Sequence, residues 1–364
     1  LTSIGRLPNS AYQAYSLVAF TAGVASLCAW SFGLIIGAIM ARSVAKECVK
    51  KPFKIHYPLL VASAYSGYVI WHMGYSSSSA LFVATPGHIL ENKIGVIPVT
   101  ETILSPINIT LAIIALATIT IICPLMKPKK EDTIEIDPVL LADNHQESGE
   151  KKDGITLIEK FENHRSLSIF LGVAIFVYIA VTYTQKGFSL TLDFVSWTFL
   201  AFGLLLANSA MHYIKLVNNA AGTVGPIILQ YPFYSGIMGL MATTGLMKVI
   251  ADWIISVATP ETLGFFAFLS GGFINMFVPS GGGQWAVQGP IMVEAALSLN
   301  VEPAIVVLGV AYGDQWSNMI QPFWLIPILA ITGLRMRQVL GYTFVIFLFT
   351  GLIYGSGILY MGAG

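Results

Sequence analysis

Charge is what this chain has least of. Lys and Arg number 19 and Asp and Glu 19 among 364 residues, 10% in all, where an ordinary soluble domain carries roughly a quarter. The stretch from Lys127 to Arg165 alone holds 7 basic and 10 acidic residues. Balanced charge gathered into one segment forms no basic face, so no nucleic-acid partner is expected. Cysteine is scarce as well: Cys28, Cys48 and Cys123 form no CxxC pair and read as buried structural thiols. No metal-binding cluster stands out, and neither a metal nor a cofactor is expected. Neither a GxSxG elbow nor an HExxH pair occurs, which leaves an intramembrane enzyme without support. What remains is apolar: 55% hydrophobic residues and a mean hydropathy of +0.73. The fold class this implies is an all-α polytopic membrane protein.

Apolar stretches long enough for a membrane helix of about 20 residues run at 11–41, 58–84, 104–126, 166–184, 192–208, 216–245, 262–293, 303–333 and 338–361. Four of them (11–41, 58–84, 262–293 and 303–333) are overlong and interrupted by Gly, Pro or polar clusters, which predicts broken or re-entrant helices. Irregular backbone survives at membrane depth only inside protein or along a polar cavity, so the breaks point to a site. Basic residues cluster at Arg42–Lys54, at Lys127–Lys130 and at Arg335–Arg337, and all three clusters are expected in the cytoplasm. Three divisions follow: a first membrane repeat at 1–126, a charged and partly disordered cytoplasmic linker at 127–165, and a second membrane repeat at 166–364.

The order of parts repeats between the halves. Cys28–Ile39, a basic loop and Pro58 onward correspond to Phe273–Ile291, a loop and Pro303 onward; Ala64-Tyr65 precedes Trp71 much as Ala311-Tyr312 precedes Trp316. The loop after the first broken element carries five basic residues, and Glu294–Glu302 carries none. Opposite charge bias at matching places predicts inverted repeats, the architecture of a secondary transporter that binds its substrate near the midplane.

The stretch FVPSGGGQWAVQGP (Phe277–Pro290) concentrates the chemistry. Pro279 stops a helix, Gly281, Gly282 and Gly283 permit close approach, and a half-helix restarting near Gln284 would present free N–H groups and a positive dipole end to an anion. Ser280, Gln284 and Gln288 add neutral donors. In the first half Ser76, Ser77 and Ser78, beside Gly74, are the matching candidates, and Trp316 and Gln321 complete the substrate-binding set. Asp314 is the acidic residue deep in an apolar run, a functional hypothesis by default; with Asn318 and Asn275 it is assigned to ion coupling. His72 could titrate but reads more simply as a packing residue. No arginine stands ready to clamp a carboxylate, so a small monoanion held by neutral donors fits better than a dicarboxylate or a phosphate.

These residues resemble the bacterial short-chain fatty acid transporters. The resemblance rests on WSFGLIIGAIMAR (Trp30–Arg42), YPLLVASAYSGY (Tyr57–Tyr68), ATPGH (Ala84–His88), QYPFYSGI (Gln230–Ile237), the PSGGG block and AYGDQWSNMIQPFW (Ala311–Trp324). It implies symport of butyrate-like or acetoacetate-like monocarboxylates with H+ or Na+ across the bacterial inner membrane, by a protein embedded in the bilayer and a candidate homodimer, related to ion transporters with paired re-entrant hairpins. Transport of another small organic anion, such as a C4 carboxylate, or passive anion flux are the alternatives. Family members carry further helices before the segment matching Leu1, so an N-terminally truncated chain is expected. Asp314 stands where the family tends to have glutamate, and His72-Met73 where it is glycine-rich.

Overall fold

The computed structural model describes residues 2–141, 162–187 and 190–363, and among these the chain is helical, with no strand. The expectation of disorder in the linker therefore lies largely outside the described residues, at 142–161. All four overlong stretches are broken. The first becomes α1 (Ala11–Cys28) and α2 (Trp30–Cys48), parted by one extended residue, Ala29. The second becomes α3 (Tyr57–Ser66), a 3-10 turn (Gly67–Met73), an irregular step at 74–77 and α4 (Ser78–Ala84). Then come α5 (Pro106–Leu125), α6 (Arg165–Lys186), α7 (Leu192–Leu206), α8 (Ala210–Thr243) and α9 (Leu246–Val257). The third and fourth stretches give α10 (Leu263–Asn275), a break, α11 (Gly281–Ser298), then α12 (Pro303–Ser317), a break at 318–321 and α13 (Pro322–Thr332), followed by α14 (Leu340–Ala363). By length and composition, three of the described helices can cross a membrane: Pro106–Leu125, Arg165–Gln185 and Leu340–Ala363.

Packing divides the chain into two compact units, 1–143 with 246–364, and 144–245. In the larger, α1 and α2 form a helical hairpin, since a Cβ on Gly33 would overlap Ser26 and one on Gly37 would press on Ala22. The second hairpin, α10 with α11, is tied by amides: Gln284 Nε2 donates to the Gly271 carbonyl (2.7 Å) and Gln288 Nε2 to Ser270 Oγ (2.8 Å). Each broken helix crosses its hairpin at a glycine. A Cβ on Gly67 would strike the backbone of Ala22 and Gly23, and one on Gly313 the backbone of Phe268, Gly271 and Gly272. One apolar core runs through both halves and includes Tyr15, Leu34, Met40, Leu60, Phe268, Leu308, Met319, Ile328 and Ile346.

The three basic clusters converge at one end of this unit. Arg42 donates to the Leu140 carbonyl through Nε (3.1 Å) and Nη2 (2.7 Å), Lys54 pairs with Glu135, and the Tyr57 hydroxyl donates to the Thr332 carbonyl. His56, at the end of the basic loop, is buried there between the Ile134 amide and the Tyr342 hydroxyl. Linker residues 130–140 thus pack on the basic loop.

The smaller unit is built of α6, α7 and α8. Phe176 meets Phe202 edge-on at 5.1 Å, and Tyr183 lies 4.4 Å from Phe194. Its outer faces are apolar and exposed (Phe170, Val173, Val177, Leu206, Phe233), as expected of surface that faces lipid tails rather than water.

Candidate functional site

Ser280 starts α11. Its side chain accepts from the Gly283 amide (3.3 Å) and its carbonyl from the Gln284 amide (2.6 Å), an N-cap arrangement that a serine hydroxyl is suited to make. The helix therefore begins at Gly281, three residues before the restart expected from the sequence, and the three glycines form its first turn. None of them has a positive φ; what Gly281 supplies is clearance. A Cβ there would overlap the His72 imidazole and come within 2.8 Å of the Trp71 ring and 3.1 Å of Asp314 Oδ2. Gly281 and Gly282 head the helix, so their N–H groups have no intrahelical carbonyl to reach. A Cβ on Gly282 would lie 3.8 Å from that of Ser78. The structure thus brings the glycine turn of the second half against the first break.

That break is held by the first hairpin's tip. The Tyr75 amide donates to the Leu27 carbonyl (2.7 Å), and Ser76 Oγ accepts from the Trp30 amide (3.0 Å), so Ser76 caps the start of α2. Ser77 and Ser79, both buried, face His72 Nδ1 at 3.3 and 3.4 Å. The other imidazole nitrogen, Nε2, faces Asp314 Oδ2 at 3.4 Å, and each residue is only 1% exposed. The His72 amide is held by Gln315 Oε1 (2.9 Å).

The second break is organised around Asn275. Its Nδ2 reaches the Asp314 carbonyl (3.0 Å), Ser317 Oγ (2.8 Å) and Asn318 Oδ1 (2.7 Å), while its carbonyl accepts from Gln321 Nε2 (2.6 Å). Asn318 Nδ2 in turn lies 3.4 Å from Asp314 Oδ1. The two Ala-Tyr tyrosines cross-brace the breaks. Tyr65 donates to the Asn318 carbonyl (2.7 Å); Tyr312 donates to Asn108 Oδ1 (2.8 Å), whose amide donates to the Met73 carbonyl (3.0 Å).

The expected site residues accordingly fall into four groups. Gly281, Ser77 and Asp314 meet around His72, with Gly282 facing Ser78 and Ser280 and Gly283 completing the cap beside them. Asn275, Asn318 and Gln321 form an adjoining amide network, while Gln284 and Gln288 bond to α10 and Ser76 to the hairpin tip. Trp316 lies apart: its indole donates to the Phe347 carbonyl (2.7 Å) and stacks on the Phe347 ring at 4.1 Å. Sequence reasoning read His72 as a packing residue and passed over Asn108 and the two tyrosines as site residues. For His72 the signal was the one that singled out Asp314, an ionisable group within an apolar run. Several buried polar atoms here have no hydrogen-bond partner, among them Tyr68 Oη, Trp71 Nε1, Gln315 Nε2 and Gln321 Oε1. Such atoms are costly in a dry interior. Among the described residues no group of three His, Cys or acidic side chains could hold a metal ion.

Comparisons with known proteins identify the family. The sequence profile of the family described as "Short chain fatty acid transporter" matches residues 1–361. A curated Escherichia coli protein described as a short-chain fatty acid transporter is 38% identical over 346 residues, covering 95% of this chain and 78% of its own length. A Haemophilus influenzae protein of the same description is 34% identical, covering 99% and 81%. Two solved structures share the fold at low identity: the Alcanivorax borkumensis YdaH transporter, described as having an unusual topology (TM-score 0.58, 12% identity, 100% of this chain and 79% of that one), and MtrF of Neisseria gonorrhoeae, described among antimetabolite efflux pumps (TM-score 0.52, 16%, 98% and 76%). The chain, an all-helical membrane protein with broken helices, belongs to the short-chain fatty acid transporter family.

Proposed function

We propose that this chain is a secondary active transporter that moves short-chain monocarboxylates such as butyrate and acetoacetate across the bacterial inner membrane by symport with H+ or Na+. The supporting observation is the meeting of the α11 N-terminus with the serines of the first break at a buried Asp314. The carboxylate is held by the Gly281 and Gly282 amides and the hydroxyls of Ser78 and Ser280, at the positive end of the helix dipole. Its alkyl tail lies against Trp71. His72 and Asp314 are closed off from solvent, so loading requires one hairpin to move against the rest, as alternating access demands. In this reading 1–126 and 166–364 are inverted repeats joined by a cytoplasmic linker at 127–165. Asp314, with Asn318 and Asn275 around it, forms the ion-coupling region, and the protein works as a multi-pass chain, with a homodimer as its assembly.

Uptake of labelled butyrate into proteoliposomes tests this. Saturable uptake that concentrates substrate when a pH or sodium gradient is imposed is the expected result. Flux that neither saturates nor accumulates would make the protein a channel, and no uptake of any short-chain carboxylate would overturn the substrate assignment.

A further inference from the structure

We infer that His72 is a substrate-binding residue that takes up the symported proton when a carboxylate binds, so that the coupling ion is H+. This rests on the carboxylate reading above and deepens it.

Charge balance in a closed site carries the argument. His72 and Asp314 face each other at 3.4 Å, almost wholly buried, and neither Nε2 nor Oδ2 makes a hydrogen bond. The charged and titratable groups around the imidazole are Asp314 from α12 and the phenol of Tyr68 from its own turn, the latter within electrostatic reach of Asp314. The step before α4 and α4 itself present the hydroxyls of Ser77 and Ser79, α12 also the amide of Gln315, and the first turn of α11 only glycine. One proton shared by the His72–Asp314 pair leaves the empty site neutral. A carboxylate arriving at Gly281, which abuts His72 Nε2, adds one negative charge where burying net charge is expensive. Neutrality returns if one further proton enters: Asp314 is then held as the neutral acid and His72 as imidazolium against the substrate carboxylate. Carboxylate and proton thus move together, two protons on the loaded pair against one on the empty pair. Ser77 and Ser79 at Nδ1 keep the ring turned with Nε2 toward Gly281.

The test is a proton count. The purified full chain is titrated with butyrate at pH 7.5 by calorimetry in buffers of different ionisation enthalpy, with sodium or choline as the salt. The expected result is about one proton taken up per butyrate bound, with no dependence on sodium. His72→Gln is expected to take up none or to lose binding while its thermal unfolding is unchanged; Asp314→Asn still takes up one, because the imidazole remains. Binding without proton uptake in the wild type, binding that needs sodium, a full proton taken up by His72→Gln, or none by Asp314→Asn would each overturn the assignment. Wild type with either correctly folded variant suffices. Absence of butyrate binding by the wild type would count against the substrate reading itself, a different failure.

Discussion

Replacing Asn275 by alanine should loosen the second helix break and lower stability. The side chain is fully buried, and its amide bridges the Asp314 carbonyl, Ser317 Oγ and Asn318 Oδ1. The Asp314 carbonyl keeps another donor, Ser317 Oγ at 3.1 Å. Asn318 Oδ1, itself buried, is left without one, and a buried acceptor stranded this way costs about 1–3 kcal/mol. Hydrogen bonds inside membrane proteins run lower, about 0.6 kcal/mol on average, because the unfolded chain also finds partners. The working figure is therefore about 1 kcal/mol, which at roughly 2 °C per kcal/mol lowers the unfolding midpoint by about 2 °C. Asn275→Asp should be worse, since a carboxylate would face two oxygens that cannot donate to it. Thermal unfolding of the purified protein in detergent reads both variants. A midpoint within about 1 °C of wild type for the alanine variant, or an aspartate variant more stable than the alanine one, would refute this account of the break.

Glycine substitutions separate fold from function. Gly313→Ala forces a Cβ into the backbone of Phe268 and Gly272 and should cost about 1–3 kcal/mol or more as overpacking, seen as poor yield and early unfolding. Gly281→Ala should fold, because its backbone is ordinary helix, yet lose butyrate uptake by crowding His72; Gly282→Ala, with only an ordinary contact to Ser78, should keep far more activity in the same proteoliposome assay. Tyr312→Phe strands Asn108 Oδ1 and Tyr65→Phe removes the side-chain donor to the Asn318 carbonyl. Each should cost about 1–2 kcal/mol by thermal unfolding, and the double variant should cost about their sum if the braces act independently. Burial pulls the His56 imidazole, in the basic loop, below its ordinary value. The unfolded chain then binds more protons than the folded one below pH about 6.5, so stability is full above that pH and falls as pH drops through it toward the lower folded value. His56→Gln should flatten this part of the stability curve between pH 7.5 and 5.

The helix breaks were legible because proline, glycine and polar clusters interrupt otherwise apolar runs, and a chain in lipid has few uses for them. The stretch 58–84 illustrates both the reach and the limit of such reading. Its length and its serines announce a discontinuity, but the 3-10 turn at Gly67–Met73 and the identity of the serines that face inward depend on how the first hairpin tip docks. Ser76 is spent on the Trp30 amide, while Ser79 faces His72. The glycine block was read as the break itself; Ser280 caps the helix before it, so the glycines became its first turn and serve close approach instead. Amphipathic α9, which carries Asp252, fell outside the search for uninterrupted apolar spans. His72 and Trp316 show the remaining limit. Whether an imidazole in an apolar run merely packs or meets a carboxylate, and whether an indole faces a site or Phe347, is decided by residues outside the local pattern: for the first by Asp314, in the other half of the chain. For the second it is decided by α14, which the local pattern around Trp316 does not mention.

The central claim is that a short-chain carboxylate sits between the α11 N-terminus and the first helix break. Crystals of the protein soaked with a bromine-tailed butyrate would locate it by anomalous scattering. The account predicts a bromine peak beside Trp71, with the carboxylate at Gly281 and Gly282 and in contact with His72, and loss of that peak in Gly281→Ala. A reproducible peak elsewhere in the protein, for example near Trp316 and Phe347, with the α11 turn left empty, would contradict it.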